Sequence, residues 1–330
     1  MTPLITIEPT QGYGGLDMSA IRDSVAVVTG GAGFIGSHLC DRLIDTGNEV
    51  VCVDNLVGSG GSDRNIKHLL GQPGFTFVQE SIVDWASTPN LDGVDYVFHQ
   101  AAAKNTVSIE DPVRDLEVNS LGTLKLLLAA KDAGIRKFVH GSTGSVYGEL
   151  QHSQDEQHPK NPASFYGVSK LAGESYCRIV ADMYNLDCTI YRYFHVIGPR
   201  QDASDTGGVV PIFIRRCLDG RPLTIFGTGN QLRSFTSVHD VVEANLLAAY
   251  LGPRSNGTFN CASAIQVSIQ ELADFVIKKM SHTGEIEYED WKPGDIINFD
   301  VNNSAIRNLG MTFNRDWKSV VCDVIDSMNN

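Results

Sequence analysis

The chain is short of positive charge: 26 Lys and Arg stand against 39 Asp and Glu, a formal net charge of −13 over 330 residues. Such a balance repels phosphate backbones and anionic headgroups, so neither nucleic acid nor a membrane surface is an expected partner. It does not bar one anionic small molecule, for which a few arginines suffice locally. No apolar run approaches the ~20 residues that a membrane-spanning helix needs. The seven cysteines (Cys40, Cys52, Cys177, Cys188, Cys217, Cys261, Cys322) are scattered, odd in number and without a C-x-x-C pair. That pattern argues against a disulfide framework or a zinc site, and for free buried thiols in a reducing, cytoplasmic setting. Internal repeats and low-complexity linkers are absent. Residues 1–24 lack the basic stretch and apolar core of a secretory leader and read as an N-terminal extension, loosely ordered around Gly12, Gly14 and Gly15. A short edge strand over Leu4–Ile7 is the competing reading.

What is present is an alternation. Val25–Thr29 is a short apolar run ended by glycines, as suits a strand buried on both faces. Residues 35–46 have helical spacing, with Ile35, Leu39, Leu43 and Ile44 on one face and Gly47 as a stop. Strands follow at 49–54, 75–79, 95–99 and 137–141, and helices at 116–133 and 166–184. Alternating units of this kind predict an α/β, doubly wound parallel sheet. Helices at 211–219, 240–251 and 269–280, with loops between, predict a smaller mixed C-terminal region and a ligand cleft between the two parts.

Gly30, Gly33 and Gly36 have the spacing G-x-x-G-x-x-G between a predicted strand and a predicted helix. Glycines there permit a tight turn and close approach of backbone N–H groups to a pyrophosphate, which the positive end of the helix beginning near Phe34 also favours. Asp54 lies 18 residues past Gly36, near the ~20-residue offset of an acid that binds a ribose 2′-hydroxyl. A carboxylate at that point repels a 2′-phosphate, so NAD is favoured over NADP. A glycine turn with a structural Asp is the plainer alternative.

Tyr166 and Lys170 form Y-x-x-x-K, which places both on one helix face. A nearby ammonium is expected to lower the tyrosine pKa from its usual ~10 and suit it to act as a general base on a hydroxyl. In isolation the pair would read as a helix-surface contact. Ser142, Thr143 and Ser145 follow a strand, and strand C-termini line the cleft of a doubly wound sheet. His99, His140 and His239 have no metal-ligand spacing around them and read as structural.

Together these residues resemble the extended short-chain dehydrogenase/reductase family, with a Rossmann domain, and within it the NAD-dependent nucleotide-sugar epimerases and dehydratases. The resemblance runs from about Val25 to Gly310. It rests on the ordered motifs Thr29–Gly36, Asp54-Asn55-Leu56, His99–Ala103, Asn119 with Gly122-Thr123, Ser142–Gly148, Tyr166–Lys170, Tyr191–Phe194, Gly198–Gln201, Gly227–Gly229 leading to Arg233, and Lys292–Asp295. It implies a Rossmann domain over 25–195 and a nucleotide-sugar-binding region over 196–330, with about 236–262 returning to the first.

The resemblance also implies roles. Gly30, Gly33, Phe34, Ile35, Gly36, Asp54, Asn55, Ser59, Ser81, Ile82, Ala101, Ala103, Lys104, Asn119, Tyr166, Lys170 and Tyr193 would surround NAD. Thr143 would hydrogen-bond the sugar 4-hydroxyl beside Tyr166. Lys104, His195, Arg200, Pro211, Thr224, Ile225, Phe226, Arg233, Lys292, Asp295 and Phe299 would line the substrate, a UDP-sugar. The pattern departs from the family at Ser81 (usually Asp), His195 (usually Asn), Ser234 (usually Asp) and Lys292 (usually Arg). The dehydratases carry Asp-Glu after the Thr and the decarboxylases a Glu at the second of these positions, whereas Gly144-Ser145 stands here. The simplest remaining chemistry is 4-epimerisation through a transient 4-keto sugar; dehydratase, reductase, decarboxylase and non-catalytic NAD-sensing roles are the alternatives. A large ring at Phe299 favours plain hexoses such as UDP-glucose and UDP-galactose over N-acetylated ones. The helices over 116–133 and 166–184 are expected either to pair with a second subunit as a homodimer or to face the core.

Overall fold

The computed structural model describes residues 21–57, 63–149, 153–204, 207–291 and 300–329. The N-terminal extension to residue 20, with its expected strand, and the ligand candidates Ser59, Lys292, Asp295 and Phe299 lie outside the described residues.

The elements run β1 (Val25–Thr29), α1 (Phe34–Asp45), β2 (Glu49–Val53), β3 (Phe75–Val78), α2 (Ile82–Trp85), β4 (Tyr96–His99), α3 (Asn105–Glu110) and α4 (Pro112–Leu116). A π-helical turn (Glu117–Gly122) leads into α5 (Thr123–Ala133), β5 (Lys137–Thr143), α6 (Phe165–Tyr184) and β6 (Cys188–Tyr193). Then come β7 (Val196–Ile197), α7 (Val209–Leu218), β8 (Leu223–Phe226), β9 (Leu232–Ser234), β10 (Thr236–Ser237), α8 (Val238–Leu251) and β11 (Gly257–Cys261). The chain finishes with β12 (Gln266–Ser268), α9 (Ile269–Met280), β13 (Ile286–Glu289), α10 (Ser304–Asn308) and α11 (Trp317–Asn329).

Seven strands form one parallel sheet in the order β11-β6-β5-β4-β1-β2-β3. The central strand β1 is covered on both faces, which is why it reads as a continuous apolar run. Ala26 and Val28 join Leu39, Leu43, Val242 and Leu246 in one core, while Val27 joins Ile82, Leu126, Leu127 and Val180 in the other. The strand's two-residue repeat sends neighbours to opposite sides. A third core, with Phe213, Ile214, Leu272, Val276 and Val324, holds α7, α9 and α11 together.

Strand order reverses between β1 and β4, and such a switch point opens a crevice at the strand C-termini. Two departures from the sequence reading bear on that crevice. β5 extends to Thr143, paired with Tyr193 of β6, so both residues stand on strand ends. The single helix expected over 116–133 is interrupted: Asp111 caps α4, Pro112 sits at its first turn, and the π turn intervenes before α5 ends at left-handed Gly134. π turns recur at functional sites; Asn119 lies buried within this one.

Candidate active site

The crevice is a cleft of about 450 Å³. Its floor is the glycine loop. Gly30 has φ +65, and a Cβ there would lie 2.7 Å from the Ala101 nitrogen. A Cβ on Gly36 would lie 2.1 Å from the Gly30 carbonyl oxygen, so the loop closes only with glycine at both positions. Gly33 begins α1 without a capping side chain, and no acid occupies the first turn, leaving the positive helix end to an anion. Phe34, Ile35, Asp54, Asn55, Ser81, Ile82, Ala101, Ala103, Lys104, Tyr166 and Tyr193 all line the same space. Asp54 accepts from the amides of Ala32 (3.1 Å) and Leu56 (2.8 Å), and burial raises its pKa. Ser81 caps α2, accepting from Val83 N at 3.2 Å. Lys104 reaches across the cleft to Asp202 at 3.1 Å.

Tyr166 lines the cleft; Thr143 and Lys170 do not line it, Thr143 standing beside Tyr166 and Lys170 buried one turn further along α6. Thr143 lies close enough to the Tyr166 hydroxyl to favour its phenolate; its own hydroxyl donates to Ser145 Oγ at 3.2 Å and accepts from Ser145 N at 3.1 Å. Tyr166 is half-buried and opens onto the cleft. One expectation is reversed here. Tyr166 is pushed up to about 12, because burial outweighs the effect of Thr143 and Asp115 adds a like-charge effect. Burial also brings Lys170 down to about 8. The Lys170 ammonium is buried with no hydrogen-bond partner among the described residues. Asn119 ties this group to the floor: it accepts from Ala103 N at 2.9 Å and donates to Ser169 Oγ at 3.1 Å and Asp115 Oδ1 at 2.7 Å.

An orphaned buried ammonium beside a glycine cradle fits a cofactor with a pyrophosphate at one end and ribose hydroxyls at the other. The residues present therefore fit NAD.

The substrate candidates are less gathered. His195 has φ 37 and stacks edge-on to Phe235 at 6.3 Å; burial and then Arg233 push its pKa down to about 3, so it stands neutral. Arg233 is half-buried, with one nitrogen 2.9 Å from its neighbour's carbonyl. Arg200 is engaged elsewhere: its guanidinium pairs with Asp41 of α1 at 2.7 Å, a contact that its left-handed backbone (φ 67) accompanies. Ile225 is fully buried in the third core, so its side chain supports rather than lines a site. Thr224 is hydrogen-bonded by Arg216, Pro211 is buried near the start of α7, and Phe226 ends β8 half-buried.

Ser142 lines the cleft as its strand-end position implied, and Gln100, Arg114, Glu80, Asp202 and Gly208 line it without having been anticipated. Gln100 lay inside the His99–Ala103 motif, and its carbonyl accepts from the Tyr193 hydroxyl at 3.2 Å. His99 is fully occupied, with Thr29 at 2.7 Å and Thr123 at 2.9 Å.

Comparison with known proteins follows the same lines. Residues 26–262 match the NAD dependent epimerase/dehydratase family. A putative UDP-glucose 4-epimerase of Methanocaldococcus jannaschii is 37% identical over 309 residues, 92% of this chain and 98% of that one. The structure of a UDP-N-acetylglucosamine 4-epimerase from Methanobrevibacter ruminantium superposes with a TM-score of 0.88 at 32% identity, covering 93% and 98% of the two chains. A Thermotoga maritima UDP-glucose 4-epimerase solved with UDP-glucose gives a TM-score of 0.86 at 34% identity, covering 92% and 98%. With its seven-stranded parallel sheet, its glycine cradle and its Tyr166–Lys170 pair, the chain belongs to the NAD dependent epimerase/dehydratase family.

Proposed function

We propose that the chain interconverts UDP-hexose epimers at C4, UDP-glucose and UDP-galactose foremost, with Thr143, Tyr166 and Lys170 as its catalytic residues. The observation that carries this reading is Tyr166 lining the NAD cleft with Thr143 beside it, and a buried Lys170 ammonium without a hydrogen-bond partner one turn along the same helix. NAD, when bound, accepts a hydride from C4 and returns it. Tyr166 takes the proton of the 4-hydroxyl and later restores it, while Thr143 hydrogen-bonds the same oxygen and orients it. Burial keeps the phenol protonated in the protein alone; a substrate hydroxyl and the Lys170 ammonium brought against it favour the phenolate. Proton and hydride both return to the sugar, so the reaction needs no proton exit from the tyrosine.

The side chemistries lack their groups. A dehydratase needs an acid after the Thr, but a Cβ on Gly144 would lie 2.4 Å from the Phe194 ring, so no side chain fits there without moving Phe194. His195 and Arg233 are assigned to the nucleotide diphosphate and Phe226 to the nucleobase side, with Asp54 and Asn55 on the adenosine ribose.

The active form is assigned as a cytoplasmic homodimer. All seven cysteines are free, as a reducing compartment favours, and no described helix is long and apolar enough to cross a membrane. Ile109, Val113 and Leu116 on α3 and α4, and Val168, Ile179 and Met183 on α6, are all more than half exposed. Such an apolar face is what two-fold pairing of helices would cover.

Purified protein incubated with UDP-glucose, with the products separated by chromatography, tests the reading. UDP-galactose without a keto-sugar is expected; a 4-keto-6-deoxy product would sink it.

A further inference from the structure

The polar groups around Lys170 do not balance evenly. Facing it are Glu174 and Cys177 from α6, Asp115 from α4, His99 from β4 and His140 from β5. Burial holds both histidines neutral and the Cys177 thiol protonated. Glu174 is already committed. Its two oxygens take a bidentate pair from Arg192 of β6 at 2.9 and 2.6 Å, and one also accepts from Ser142 at 2.6 Å, all three residues being buried. Among these groups, Asp115 alone is a carboxylate without an arginine of its own.

Asp115 is buried at 1% exposure, and its side chain accepts at 2.7 Å from Asn119, which also donates at 3.1 Å to Ser169, the residue next to Lys170. Ser169 in turn donates to the Tyr166 carbonyl at 3.0 Å, and Asn119 holds Ala103 on the cleft floor. The carboxylate therefore bears on both members of the catalytic pair: Lys170 favours its charged state, and its charge disfavours ionisation of Tyr166.

We propose that Asp115 is the counter-charge of the Tyr166–Lys170 pair, a positioning residue that holds the pair's helix through Asn119 and Ser169 and sets how readily Tyr166 releases its proton. The inference rests on the assignment of Tyr166 and Lys170 above, but not on the identity of the sugar. A negative charge beside the phenol disfavours phenolate, so removing it should let Tyr166 ionise at lower pH.

The test is a phenolate absorbance titration of the NAD-bound enzyme, with the Tyr166→Phe spectrum subtracted to isolate this tyrosine. Asp115→Asn keeps the acceptor for Asn119 and removes only the charge. Its Tyr166 midpoint should fall by about one pH unit, while Asp115→Glu should stay near wild type. If Asp115→Asn does not fold, Asp115→Ser reads the same shift. A midpoint unchanged in the neutral variant, or raised, overturns the proposal. A lowered midpoint in an enzyme that turns over no UDP-sugar would refute the epimerase reading and leave this one standing.

Discussion

Thr143→Val removes one hydroxyl and almost no volume. Thr143 has two bonding roles; the variant removes both, and the readouts, Tm and kcat, separate them. As a turn cap it accepts from Ser145 N at 3.1 Å, and losing such a cap costs about 1 kcal/mol of stability, a shift of a few degrees in Tm. As the neighbour of the Tyr166 hydroxyl, it works at a site where negative charge develops. A hydrogen bond to a charged group contributes about 1.5–3 kcal/mol, which corresponds to roughly a 10- to 150-fold loss in kcat. Because the contact tightens as the 4-hydroxyl gives up its proton, KM should move little. The assay is steady-state epimerisation with a coupled readout, run beside a thermal melt. Thr143→Ser should keep most of the rate. A Thr143→Val enzyme within twofold of wild type in kcat would refute the assignment, whatever its Tm.

Other outcomes follow from named contacts. Gly36→Ala places a Cβ 2.1 Å from the Gly30 oxygen, so the protein should lose bound NAD on gel filtration and melt well below wild type; retained NAD would contradict the cradle. His99 sits at about 3 and His195 at about 3, both lowered chiefly by burial from 6.5. Depressed histidines bind protons in the unfolded chain first, so stability present above pH ~6.5 is lost as pH falls toward the folded values, by at most about 1.4 kcal/mol per unit for each group. Denaturant titrations from pH 7 to 5 should show that decline, and His99→Gln should flatten it. On the apolar helix face, Val113→Glu with Met183→Glu should give monomers by sedimentation while the circular dichroism stays native; a wild-type enzyme that is itself monomeric would remove the dimer assignment.

The glycine loop, its strand, its helix and Asp54 were legible because each depends on local backbone needs: left-handed Gly30, an extended Gly33, a short apolar strand. The Tyr166–Lys170 spacing was legible for the same reason. What lay beyond reach depended on contacts distant in sequence. β6 and β11 are short strands whose pairing, such as Tyr191 with Phe259, no local pattern announces. Burial around Tyr166, which reverses the expected fall in its pKa, is set by the packing of separate elements around it. Arg200 reads as a phosphate ligand, and its ion pair with Asp41 of α1 is a contact that no local pattern announces. Asp115 carries no motif signal, and Gln100 sits in the His99–Ala103 motif without a role assigned to it; only the fold brings them to Lys170 and Tyr193.

The central claim is that a hydride leaves C4 and comes back within one bound state. UDP-glucose carrying deuterium at C4 tests it directly. Full retention of deuterium at C4 of the UDP-galactose formed, and abolition of turnover in Tyr166→Phe, is the predicted result. Exchange of that label with solvent, or its appearance at another carbon, would contradict it.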